Sequence, residues 1–236
     1  MQWTAGLREA LEGEVVALDG KTLRRAFDGA SAGTPLHLVN AWASESGLVL
    51  AQQEVDSKSN EITAIPKILE VLALKGCIVT TDAMGCQKEI ARAIRDAGAD
   101  YVLALKDNHK DFHEEVRTFF KEELRDGDSD FAIDVYETTE KGHGRIETRK
   151  YFVTSDVSWL GRERDWTDLK SIGMVESTRE IKGEVSREVR FFISSLQADA
   201  KKFARPVRSH WGVENSLHWV LDVTFNKVAP HPVPAY

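Results

Sequence analysis

At 236 residues, with 42% hydrophobic and 29% charged side chains, the chain is long enough to bury a substantial core, and one domain carrying an insertion is the simplest arrangement. No apolar run is long enough to cross a bilayer as a helix, and the opening Met1-Gln-Trp-Thr-Ala-Gly-Leu-Arg-Glu-Ala lacks the basic-then-apolar pattern of a secretory signal, so a cytoplasmic protein without a membrane role is expected. The net charge of -7 argues against a nucleic-acid binder only when averaged over the whole chain: basic residues gather at 21–25, 106–110, 141–150 and 201–210, while acids crowd 111–130.

Glu14-Val-Val-Ala-Leu-Asp19 is a short apolar run closed by Asp-Gly, which reads as a buried strand ending in a turn. Segments 36–43 and 48–55, separated by Ser44-Glu-Ser-Gly47, extend it into an antiparallel meander. Residues 61–74 carry apolar positions at helical spacing, with Ser59 or Asn60 as cap and Pro66 early in the helix. A strand over 77–81 ends at Asp82 and is followed by an amphipathic helix over 87–97, stopped by Gly98. A strand over 101–105 and a helix over 112–124 complete this half. Strands alternating with helices imply right-handed crossovers and a parallel portion of sheet. Cys77 and Cys86 show neither CxxC spacing nor a disulfide framework and read as reduced thiols, Cys77 as a small core residue.

Between 127 and 197 the pattern changes to strand-like pieces at 131–137, 145–153, 172–181 and 185–193, which is most simply a β-rich insertion packed on the main domain. The closing helix is expected to begin at Pro206, with Val213, Leu217, Val220 and Leu221 facing the core. Glu214 then falls one helical step, about 100°, from Val213, at the margin of the buried stripe.

Asp19 and Asp82, each at the end of an apolar strand, and Glu214 on the closing helix supply hard oxygen ligands suited to Mg²⁺ or Mn²⁺. Two such ions about 4 Å apart serve phosphodiester displacement. Singly, Asp19 is a good turn residue and Asp82 a good helix cap. A zinc alternative uses His210, Glu214 and His218, which share a helix face at i, i+4 spacing but lack the His-Glu-x-x-His order.

Five ordered motifs carry a family resemblance: Asp19-Gly-Lys-Thr-Leu-Arg, Thr80-Thr-Asp-Ala-Met-Gly-Cys-Gln, Tyr101-Val-Leu-Ala-Leu-Lys-Asp-Asn, His143-Gly-Arg-Ile-Glu-Thr-Arg and Arg208-Ser-His-Trp-Gly-Val-Glu-Asn-Ser-Leu-His-Trp. Together they resemble the H-repeat-associated group of bacterial insertion-sequence transposases, over nearly the whole chain up to Phe225. The resemblance implies an α/β fold: an RNase H-like mixed five-stranded sheet flanked by helices, with the β-rich insertion before the last catalytic helix. It divides the chain into a core at 1–126, an insertion at 127–197, a closing helix at 198–225 and a Pro-rich tail at 226–236.

It further implies Asp19, Asp82 and Glu214 as catalytic metal ligands, Mg²⁺ or Mn²⁺ as cofactor, and water and then a DNA 3′-hydroxyl as nucleophiles. Lys21, Lys106, Arg145, Arg149, Arg208 and His210 become DNA-contact candidates, with element ends and target DNA as partners and a homodimer as a candidate assembly. The short lead before Asp19 and the divergent tail suggest a remnant shortened at both ends. Two alternatives remain beside the active transposase: a catalytically silent DNA-binding remnant, and a stand-alone metal-dependent nuclease of the same fold.

Overall fold

The structure, a computed structural model, describes residues 12–23, 36–55, 60–125, 131–142, 144–161 and 163–218. Its centre is one nine-stranded sheet in the order β3-β2-β1-β4-β5-β9-β8-β7-β6. Strands β1 (Val15–Leu23), β2 (Leu36–Ala43) and β3 (Leu48–Glu54) form the antiparallel meander; β4 (Ile78–Thr81) and β5 (Asp100–Leu105) run parallel to β1. The parallel pairs are joined through α1 (Glu61–Val71) and α2 (Lys88–Asp96), and α3 (Lys110–Glu123) follows β5. These three helices place Ile65, Ile68, Ile90, Ile94, Phe112 and Phe120 on one face of the sheet, against Val16, Leu18, Val79 and Leu103.

The β-rich stretch does not form a separate layer, and the sheet is therefore larger than the five strands expected. Strands β6 (Asp134–Gly142), β7 (Arg145–Thr154), β8 (Ser171–Ile181) and β9 (Glu184–Ser194) make an antiparallel series. It joins the first five strands where β9 pairs antiparallel with β5 from Val102↔Ser194 to Leu105↔Phe191. The pairing covers the second edge of β5, a strand buried on both faces.

The closing helix α4 (Ala200–Gly212) begins six residues before the expected Pro206, which sits inside it. Asp199 supplies the start signal: its side chain accepts a hydrogen bond from Lys202 N at 2.8 Å, an N-cap that the proline reading overlooked. The helix lies on the face opposite α1–α3, burying Phe203, Ala204 and Val207 against Val102, Val153, Val175 and Phe192. Beyond Gly212 the backbone widens into a π-type turn over Val213–His218, where Val213 and Leu217 pack on Ala17 and Trp42. Val220 and Leu221 lie outside the described residues.

Candidate active site

Asp19 occupies a different backbone setting from the one its sequence suggests. Strand β1 runs on to Leu23, because β2 pairs with it down to Leu23↔Leu36, so Asp19-Gly20 is mid-strand and not a turn. The parallel pairing with β4, however, stops at Leu18↔Thr81. Asp19 and Asp82 are thus the residues immediately after the last paired positions of two neighbouring parallel strands, the edge where α/β sheets bind ligands. Gly20 serves close approach: a Cβ there would lie 1.8 Å from Glu61 Oε1.

Both aspartates line one cavity of about 200 Å³, together with Thr80, Thr81, Lys106, Arg190, His210 and Trp211. Asp82 Oδ1 accepts backbone N–H bonds from Met84 at 3.0 Å and Gly85 at 3.2 Å, so it caps the turn after β4; the following helix starts later, after Gln87. The capping role of Asp82 and its place at the cavity therefore coexist. Asn108 donates to Ala83 O at 2.6 Å and ties the segment after β5 to that same turn.

Two histidines from the closing segment reach the strand ends. His210 Nδ1 is hydrogen-bonded to Thr80 Oγ1 at 2.9 Å, and His218 Nδ1 lies 3.5 Å from Asp19 Oδ2. Burial pushes the His210 imidazole down to about 4, against the pull of the Asp82 charge. The imidazole stands at the cavity as a hydrogen-bonding partner of Thr80. Glu214 belongs by its backbone to the π-type turn, four residues before His218; its carboxylate lies outside the described residues. Among the described residues no three His, Cys, Asp or Glu side chains gather as a metal-holding group. The two carboxylates lining the cavity, Asp19 and Asp82, are hard-oxygen donors of the type that Mg²⁺ prefers.

A second concavity, of about 380 Å³, opens over β7–β9 and α4 and shares Arg190, Val207 and Trp211 with the first. Six arginines line it: Arg145, Arg149, Arg179, Arg187, Arg190 and Arg208. Glu147, 5% exposed, organises three of them, with Arg179 Nε at 2.8 Å, Arg145 Nε at 3.2 Å and Arg149 in close contact. Burial raises the Glu147 carboxyl, but Arg149, Arg179 and Arg145 outweigh it and the net shift is downward. Arg190 is bidentate to Glu188 and stacks 4.1 Å from the Trp211 ring, at the junction of the two concavities.

The structure therefore brings Asp19, Asp82, Lys106 and His210 to one cavity, and Arg145, Arg149 and Arg208 to the adjoining groove. Lys21, half-buried two residues beyond Asp19, lines neither.

A sequence profile for the transposase DDE domain matches residues 11–228. The chain belongs to the DDE-domain transposase family. YncI from Escherichia coli O157:H7, whose name assigns it provisionally to the transposases, is 42% identical over 233 residues, covering 97% of this chain and 59% of that protein. A protein encoded in the dhlA 3′ region of Xanthobacter autotrophicus is 49% identical over 200 residues, 84% of this chain and 65% of that protein. YhhI from Escherichia coli K12, named provisionally as an H repeat-associated transposase, is 40% identical over 237 residues, 96% of this chain and 61% of that protein. The chain spans about 60% of the length of these curated relatives.

Family membership directs attention to the aspartates, but the residues around them were not legible as a group. Glu61 stands against Gly20, with His37 Nε2 donating to its Oε1 at 2.9 Å and Thr22 Oγ1 within 2.8 Å of His37 Nδ1. Burial and the Asp82 charge raise the Glu61 carboxyl. In the sequence the only signal was an acid in the first turn of a helix, which any helix favours. Arg179, Arg187 and Arg190 were likewise missed, since strand pairing, not sequence proximity, brings them into the groove.

Proposed function

We propose that this chain is the catalytic domain of an insertion-sequence transposase with an RNase H-like core, which cuts DNA at element ends and joins the freed strand to a target. The observation that carries the reading is the shared cavity of Asp19 and Asp82 at the end of adjacent parallel strands, beside an arginine-lined groove. In this reading residues 1–126 and 198–225 make the core and 127–197 the insertion. Asp19, Asp82 and Glu214 would hold Mg²⁺ or Mn²⁺, which supplies activation of an attacking oxygen and charge stabilisation of the leaving one.

The protein's own groups bind and orient the DNA. Lys106 faces the cavity and offers an ammonium to the scissile phosphate's non-bridging oxygens. Arg145, Arg149 and Arg208 contact flanking phosphates, where guanidinium forks match phosphate geometry. Lys21, outside both concavities, is assigned to the DNA flank beyond β1. His210, hydrogen-bonded to Thr80 at the cavity, is assigned to the DNA flank there. Water is the nucleophile for cleavage and a DNA 3′-hydroxyl for joining. A homodimer acting in the cytoplasm on both element ends completes the proposal.

The test is incubation of the protein with Mg²⁺ or Mn²⁺ and element-end DNA. The wild type should nick and join, while Asp19→Ala and Glu214→Gln should each lose at least ~100-fold in rate, as expected when a metal ligand is removed. Cleavage undiminished in either variant sinks the assignment. Metal-indifferent DNA binding without nicking indicates the silent remnant, and nicking without joining indicates a nuclease.

A further inference from the structure

Directly across the β1–β2 pair from Asp19 stands Asn40, and across the β2–β3 pair from Asn40 stands Gln52. Residues opposite each other in an antiparallel pair share a face, with Cβ atoms about 5 Å apart. Asn40 is 0% exposed. Its Oδ1 accepts a hydrogen bond from Gln52 Nε2 at 2.7 Å, which fixes the orientation of the amide. Its Nδ2 is buried with no hydrogen-bond partner.

An amide donor enclosed this way loses its water without compensation, and cores tolerate that where a group has another duty. The apolar side chains that share the face, Ala17, Trp42, Val213 and Leu217, offer no acceptor apart from backbone. The carboxylate of Asp19, directly opposite Asn40 in register and approached by His218 Nδ1 at 3.5 Å, is a side-chain acceptor on the same face.

We propose that Asn40 is a positioning residue for Asp19: with Gln52 holding its amide, Asn40 Nδ2–H is donated to one Asp19 oxygen when the other turns to a divalent cation. The Gln52–Asn40–Asp19 row then acts as a polar strut across three strands. It holds the carboxylate in its ligating orientation and spares it the search among rotamers. Such supports of a metal ligand typically govern affinity by 10–100-fold. The inference rests on the proposed metal-binding role of Asp19.

The experiment is titration of the whole protein with Mn²⁺ alone, followed by calorimetry and by the loss of the free-ion spin signal, on the wild type, Asn40→Ala, Gln52→Ala and Asp19→Ala. Denaturation midpoints are measured in parallel. Asn40→Ala should weaken Mn²⁺ binding by about 10-fold or more with its denaturation midpoint held or raised, because an unsatisfied amide has been removed. Gln52→Ala, an exposed position that leaves the core intact, should weaken it by a smaller factor of about 3–10 through the loosened amide. Equal affinity in the wild type and Gln52→Ala, or in the wild type and a folded Asn40→Ala, overturns the positioning role while a weakened Asp19→Ala leaves the site itself standing. Absence of Mn²⁺ binding in the wild type overturns both.

Discussion

His210 stands where its imidazole pKa is pushed down, and that has a consequence for stability. Its folded value is depressed from 6.5 to about 4, first by burial and then by the opposing balance of Asp82, Arg190 and His218 charges. Between those values the unfolded chain binds the proton and the folded chain does not, so stability falls as pH drops from about 6.5 towards 4 and levels off below. A His210→Gln variant cannot show that component. Urea midpoints measured from pH 7 to 4 should therefore decline more steeply for the wild type than for the variant; parallel curves would contradict the burial of a neutral imidazole. At this scale the sequence was legible where a residue type is rare for its setting, as with an acid after an apolar strand. It was silent on Asn40, Gln52 and Glu61, because polar residues on a strand or in a first helical turn are ordinary until a neighbouring element closes over them.

The helix α4 connects the two concavities, since its residues line both. Its seat on the sheet depends on Gly173 in β8, where an added Cβ would come within 2.5 Å of the Phe203 ring. Gly173→Ala should destabilise the fold by about 1–3 kcal/mol, the usual cost of overpacking, and is checked by denaturant unfolding. A shift below about 0.5 kcal/mol would mean that the ring moves aside freely. Most elements were readable from periodicity, including the meander and both parallel strands, because short apolar runs bounded by Gly, Asp and Asn leave few alternatives. The errors fall where two cues competed. Pro206 reads as a helix start, but Asp199 caps the helix and the proline sits inside it, where it lacks the N–H for an i→i−4 bond. Asp19-Gly20 imitated a turn, although the glycine is there for the Glu61 carboxylate.

Across the whole molecule, an acidic protein of net charge -7 presents an arginine-lined groove that meets the aspartate-bearing cavity at Arg190 and Trp211. Several groove arginines are already paired with Glu140, Glu147 or Glu188, so a phosphate backbone has to compete with carboxylates for the same guanidinium forks. Arg187→Ala with Arg190→Ala should weaken DNA binding similarly across sequences and lower the slope of log affinity against log salt by about 2, one unit per lost phosphate contact. An unchanged slope would place the DNA elsewhere. Arg145, Arg149 and Arg208 were legible as basic residues but the groove was not, because Arg179, Arg187 and Arg190 join them only through the pairing of β7, β8 and β9.

The most direct measurement of the central claim is a crystal structure of the protein soaked in Mn²⁺, read from the anomalous signal. One or two Mn²⁺ ions, the latter about 4 Å apart, should appear in the cavity between Asp19 and Asp82 with the Glu214 carboxylate as a third ligand. Mn²⁺ bound elsewhere, or a Glu214 carboxylate more than about 8 Å from both aspartates, would contradict a shared site for phosphodiester chemistry.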